Sequence, residues 1–189
     1  MKTPRNPWTT HESRETYDNP WIRVTEHRVT HPNGDPGMYG VVRMKNVATG
    51  IVPVDEEGCT WLVGQWRYPL NAYSWEIPEG GAPEGENPLR AAKRELLEET
   101  GLEAEEWTPL HTAHLSNSVT DEVAEIFLAR GIRRVAEPRP EASEELQLRR
   151  LPLRDAVEMV YTREITDAVS IMGLLRAWEL TMGNTGRNM

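Results

Sequence analysis

Four glutamates, Glu86, Glu95, Glu98 and Glu99, follow closely on the glycines Gly80 and Gly81. Asn87 is a good helix N-cap, Pro88 suits a first helical position, and Gly101 suits the left-handed residue that closes a helix. A short helix is therefore expected between them. At roughly 100° per residue, Leu89, Ala92 and Leu96 form one apolar stripe, and Glu95, Glu98 and Glu99 fall on the arc beside it. Like charges three or four residues apart each cost roughly 0.2–0.5 kcal/mol. Lys93 and Arg94 are too few to neutralise these carboxylates and Glu86 as well. Hard oxygen ligands at the edge of a buried face suit a divalent cation such as Mg2+, with phosphate oxygens completing its shell. The same spacing also describes a solvated acidic helix face, and these residues alone leave both readings open.

The elements that must position this helix read as mixed strands. Trp21 to Val29 and Met38 to Lys45 flank the turn cluster His31 to Gly37 and form an antiparallel hairpin. Ile51–Val54, Thr60–Trp66 and Tyr73–Ile77 lead as strands to a glycine turn entered through Pro78-Glu79. Trp107–Leu115 and Val123–Ala129 read as a further strand pair around the loop at 116–118. Residues 133–145 are charged and proline-containing and read as a long mobile loop. Leu146–Leu151 alternates like a strand, and Leu153–Tyr161 and Thr166–Leu180 read as amphipathic helices. Strands with one helix in the middle and two at the end indicate a layered α/β fold. A single domain over residues 1–182 is expected, with 1–16 as an extension and 183–189 as a disordered tail.

Composition narrows the classes. A chain of 189 residues is long enough for a substantial core. Its net charge of -9 argues against a nucleic-acid or anionic-membrane surface. No apolar N-terminal segment or run of about 18 apolar residues occurs, so neither signal peptide nor membrane span is expected. Cys59 is the only cysteine and has no evident base beside it, which excludes an intrachain disulfide and argues against a thiol nucleophile. A cytoplasmic enzyme is the simplest reading. His111 and His114 have the spacing of a zinc pair, but on a strand their rings would point to opposite faces.

The stretch Gly80–Leu102 resembles the Nudix box, G-x5-E-x7-R-E-U-x-E-E-x-G-U with U aliphatic. Gly80, Glu86, Arg94, Glu95, Leu96, Glu98, Glu99, Gly101 and Leu102 occupy every defined position. The resemblance implies an α/β/α sandwich with a mixed sheet and an N-terminal antiparallel hairpin. It also implies Mg2+- or Mn2+-dependent hydrolysis of a nucleoside diphosphate linked to another group. Glu95, Glu98, Glu99 and the backbone carbonyl of Glu79 become the metal ligands, and Arg94 orients a box glutamate.

Gln65-Trp66-Arg67 and Trp75-Glu76-Ile77-Pro78-Glu79-Gly80 resemble segments of the ADP-ribose and nucleotide-sugar pyrophosphatase branch. Arg67 is then a phosphate or nucleoside contact, since a guanidinium forks onto phosphate. The branch draws its general base from the loop before the last strand, which makes Glu144 the first candidate and Glu145 the second. The loop Leu115–Glu122 corresponds to the branch's substrate loop, giving Ser118 and Glu122, and Ile165–Ala168 resembles its last helix start. The proline common in the ADP-ribose enzymes about fifteen residues past the box is absent, which favours other nucleoside-diphosphate sugars. Resemblance to this branch also implies a homodimer that exchanges the N-terminal hairpin, with Tyr17 or Trp21, ahead of Trp8, stacking the base. The expected products are a nucleoside monophosphate and a sugar phosphate. An ADP-ribose-specific hydrolase, and a Nudix-fold regulator that binds without hydrolysis, are the competing readings.

Overall fold

The computed structural model describes residues 5–139 and 145–185. In chain order the elements are β1 (Thr9–Asp18), β2 (Ile22–Thr30), β3 (Pro36–Met44), β4 (Asn46–Pro53), β5 (Cys59–Arg67), β6 (Ala72–Glu76), β7 (Glu79–Pro83), α1 (Pro88–Thr100), β8 (Leu102–His114), β9 (Val123–Arg134), β10 (Gln147–Pro152), α2 (Leu153–Tyr161) and α3 (Ala168–Thr185). The chain gathers into two compact units. One is Met1–Asn46 with His114–Glu122, and the other is Val47–Ala113 with Val123–Met189.

The first unit is an antiparallel sheet in the order β1-β2-β3. The hairpin β2–β3 matches the sequence reading, whereas β1 falls largely in the segment read only as an N-terminal extension. All ten residues of β1 are exposed, so no apolar alternation announced the strand. Cross-strand polar pairs hold it instead: Arg14 to Glu26 at 3.0 Å, Arg28 to Glu12 at 3.3 Å, and Ser13 Oγ with His27 Nδ1 at 2.7 Å. Trp8 docks on His31 and edge-on against Tyr39, with ring centroids 5.2 and 5.4 Å away. The 116–122 loop is strapped to β3. Val42 N donates to Val119 O at 2.9 Å, and Arg43 and the amide of Met44 both donate to Asp121.

The second unit holds the sheets β7-β4-β9-β8 and β10-β5-β6. β4 and β9 run parallel, while β5 pairs antiparallel with β10 and β6, so the layering is mixed α/β as expected. One core cluster joins Ile51, Trp61, Ala92, Leu96, Leu102, Phe127 and Ala129. Ala92 and Leu96 are the apolar stripe of α1, which packs on β7, β5 and β9. The Asn87 side chain accepts from Arg90 N, and Gly101, at φ 71°, closes the helix as its sequence implied.

Two segments differ from expectation. Glu79–Pro83, read as a turn, is strand β7 at the edge of the four-stranded sheet, and Pro78 O accepts from Ile51 N at 2.9 Å. Its glycines permit close approach rather than a reversal. Arg133 and Arg134 complete β9, and residues 135–139 then run against the end of α1. Val135 N and Ala136 N donate to Gly101 O, and Arg139 N donates to Glu98 O at 2.6 Å. A Cβ on Gly101 would lie 2.1 Å from Ala136 O, so only glycine lets the chain pass there. α3 continues to Thr185, three residues into the expected tail. No helix among the described residues is long and apolar enough to cross a membrane.

The link between β6 and β7 is fixed by α3. Ser170, fully buried, accepts from Ile77 N at 2.9 Å, and its own amide donates to Asp167 Oδ2 at 2.6 Å. Ser170→Ala would leave the buried Ile77 N–H unpaired, and is expected to cost about 1–3 kcal/mol. Equilibrium urea unfolding should show a lower midpoint at an unchanged slope.

Candidate active site

Arg94 is the centre of the acidic helix. Its Nη1 donates to Glu95 Oε1 at 2.7 Å and to Glu98 Oε2 at 3.1 Å, while Nη2 donates to Gly81 O at 3.0 Å and Glu86 Oε2 at 3.2 Å. One guanidinium thus ties three carboxylates and the β7 backbone together, more than helix spacing alone suggested. The reason is that β7 and Glu86 fold back over the first turns of α1, within reach of both Nη atoms. Burial alone would lower the Arg94 pKa, but the charge of Glu95 and the hydrogen bonds that Arg94 donates to Glu95, Glu86 and Glu98 outweigh it and hold the pKa above its ordinary value. Gly80 carries a steric requirement of its own. A Cβ there would lie 2.1 Å from the Glu95 carboxyl carbon, so that carboxylate is seated against bare backbone.

A second knot lies on β5, β6 and β7. Arg67 donates to both oxygens of Glu76, through Nε at 2.9 and 3.0 Å and through Nη2 at 2.5 Å, and also to Glu79 Oε1 at 2.5 Å. Glu79 N donates to Oε2 of Glu99, which is 3% exposed, at 3.1 Å. The backbone of the β7 residue expected to offer its carbonyl is therefore bonded to a glutamate of the helix. Burial, then the charges of Asp167 and Glu76, push the Glu79 carboxyl well above the usual carboxylate range, against the pull of Arg67. Glu76 and Asp167 were not singled out by sequence. The available signal was a charged residue in the apolar frame Trp75-Glu76-Ile77, on the same strand face as Arg67's partner position Ala72.

Five carboxylates, from Glu76, Glu79, Glu86, Glu95 and Glu98, thus pair with two guanidiniums, and the charges of Glu99 and Asp167 act on the same group through Glu79. The surplus negative charge and the all-oxygen donor set fit a hard divalent cation. Glu95, Glu98, Glu99 and the Glu79 carbonyl are the groups that would hold it. Among the described residues no three acidic or imidazole side chains are gathered at coordinating distance of one point. Arg94 Nη1 instead bridges Glu95 and Glu98.

The other sequence-predicted residues are distributed differently. Glu144 lies outside the described residues. Glu145 is exposed, and its charge, after burial, is the second cause raising the Tyr73 pKa. Tyr73 pairs with Trp66 in the β5–β6 register and so faces away from Arg67 and Glu76. Tyr17, Trp21, Ser118 and Glu122 all belong to the first unit. Tyr17 and Trp21 are 54% and 65% exposed, and Ser118 O accepts from the Tyr39 hydroxyl. His111 and His114 both lie on β8, three residues apart.

Residues 44–170 match the NUDIX domain family, and residues 8–42 match the nucleoside diphosphate sugar hydrolase N-terminal domain. The chain is 34% identical over 138 residues to the ADP-ribose pyrophosphatase of Bacillus subtilis, spanning 72% of this chain and 74% of that one. It is also 34% identical over 140 residues to the ADP-ribose pyrophosphatase of Mycobacterium tuberculosis, spanning 72% and 67% of the two chains. A crystal structure of an ADP compounds hydrolase shares the fold, with a TM-score of 0.81 over 96% of this chain and 99% of that one at 22% identity.

The seat of Glu95 on Gly80 can be tested directly. Gly80→Ala must displace the Glu95 carboxyl by more than an ångström, and misplacement on that scale costs about 100-fold in rate. Turnover should fall by that order, with the far-ultraviolet spectrum unchanged.

Proposed function

The chain belongs to the Nudix family, and on that premise we propose that it hydrolyses the pyrophosphate bond of nucleoside-diphosphate sugars. The products would be a nucleoside monophosphate and a sugar phosphate. The observation that carries this reading is the Arg94 knot, in which one guanidinium holds Glu86, Glu95 and Glu98 against the Gly81 carbonyl. Nudix hydrolases generally use divalent metal ions, and Mg2+ is the proposed cation, with Mn2+ as a substitute. Bound to Glu95, Glu98, Glu99 and the Glu79 carbonyl, it would neutralise phosphate charge and make coordinated water more acidic.

The remaining work falls to side chains. Arg94 holds two of the box glutamates in a fixed spacing, so the site needs little reorganisation when substrate arrives. Arg67 contacts a phosphate of the substrate. Glu144 takes the proton from the attacking water as the P–O–P bridge breaks and the departing phosphate oxygen takes up the electron pair. Tyr17 or Trp21 stacks the base, and Ser118 and Glu122 border it, in a homodimer that exchanges the N-terminal sheet. A cytoplasmic location is part of the same proposal. The second reading, an ADP-ribose-specific hydrolase, is favoured by the two relatives of that name at 34% identity. Against it stands the loop at 116–122, which holds no proline.

A panel of nucleotide sugars that includes ADP-ribose, assayed with Mg2+ in oxygen-18 water, separates these readings and shows which phosphorus is attacked. Turnover of several sugars is expected, and strict ADP-ribose dependence would favour the second reading. Binding of panel members without turnover would make the protein a regulator. Excess EDTA should abolish activity, and added Mg2+ should restore it. Glu144→Gln should lower kcat at least about tenfold with little change in KM, whereas Glu145→Gln should not. Light scattering at micromolar concentration should give the mass of two chains.

A further inference from the structure

The end of β5 presents a guanidinium that is already engaged. Arg67 is held by two carboxylates, and they are not equivalent. Glu76 spans the guanidinium through both of its oxygens, and its side chain is 3% exposed. Gln65 Nε2 approaches the same carboxylate at 3.5 Å. This pair is buried, forked and built into the β5–β6 ladder, so it fixes the plane of the Arg67 head group. Glu79 touches Arg67 end-on through one oxygen, and its side chain is 15% exposed. Asp167, Glu76 and Glu99 all oppose its negative charge, and among its main influences Arg67 alone favours it.

A single Glu79 oxygen on the arginine edge takes the place of a phosphate oxygen there, accepting a charge-assisted N–H bond from Arg67. A phosphate arriving at the same edge of Arg67 would meet Glu79 in its place. It would also meet the repulsion of Glu76 and Asp167. We propose that the Glu79 carboxylate is a built-in competitor for substrate phosphate at Arg67, and that a nucleotide binds by displacing it. Glu79 then has two separate parts in the site. Its carbonyl belongs to the cation's oxygen set, whereas its side chain sets how tightly nucleotide phosphates are retained. A site whose arginine already holds an internal acceptor releases phosphate-bearing products more readily than one with a bare arginine. The inference rests on the reading of the chain as a pyrophosphohydrolase of nucleotide substrates, and it concerns binding rather than the chemical step.

The test is the affinity for adenosine diphosphate measured by titration calorimetry in EDTA, where no hydrolysis intervenes. Glu79→Ala keeps the backbone carbonyl and removes only the competitor, and it should bind the probe at least about fivefold more tightly than the parent chain. Glu79→Gln keeps the shape and removes the charge, should give a smaller gain, and serves if the alanine variant is poorly folded. The gain should vanish when Arg67→Ala is added to Glu79→Ala, because the freed site is then gone. Equal or weaker binding by Glu79→Ala, or a gain that persists without Arg67, would overturn the inference while leaving the proposed activity intact. Failure of every form to bind the probe would overturn the inference alone, since the proposed activity requires Mg2+ and is decided by the nucleotide-sugar panel.

Discussion

Everything at this site is arranged around a charge imbalance. Two arginines stand among seven carboxylates on partly buried elements, where like charges repel more strongly than they do in water. Each arginine is shared among several partners. Arg94 spans from α1 to β7, and Arg67 spans from β5 to β6 and β7. The two knots are joined through Glu79 and Glu99, so the helix and the strand that precedes it are held as one piece. The scaffold that makes this tolerable is apolar: Ala92 and Leu96 seat α1 in the core while its glutamates line the rim.

That imbalance also explains why small details of backbone matter so much here. Gly80 admits the Glu95 carboxyl because it has no Cβ. Ser170 caps a buried amide between Glu76 and Glu79, so the two partners of Arg67 keep their spacing. Arg139 N and the amides of Val135 and Ala136 take up carbonyls at the C-terminal end of α1. These groups would otherwise add further negative dipole beside Glu98 and Glu99. The helix end is thus satisfied by the following chain and not by the acids.

Sequence made the helix legible because its caps, stripe and charges agree, and Asn87, Leu96 and Gly101 each do in the structure what their types imply. The buried strands were legible through apolar runs such as Thr60–Trp66. β1 was not, because its stability comes from partners in β2 that no local window contains. β7 was misread since glycine usually marks a turn, and only the pairing of that segment beside β4 reveals it as strand. Arg67 was legible as a candidate contact, but its capture by Glu76 and Glu79 depends on β-ladder register. Charge identity is local information, whereas charge pairing is not.

The polar ladder of β1 has a consequence of its own. Beyond the backbone ladder, its attachment to β2 uses ion pairs and a hydroxyl–imidazole bond on exposed and half-buried residues, whereas the second unit has a dry apolar cluster at its core. Dissolved ions shorten the reach of the first kind of force, from about 8 Å at physiological strength to about 3 Å at 1 M. They leave the second kind intact, and sulfate strengthens it. Rising salinity therefore weakens the ion pairs of β1 and spares the apolar cluster of the second unit.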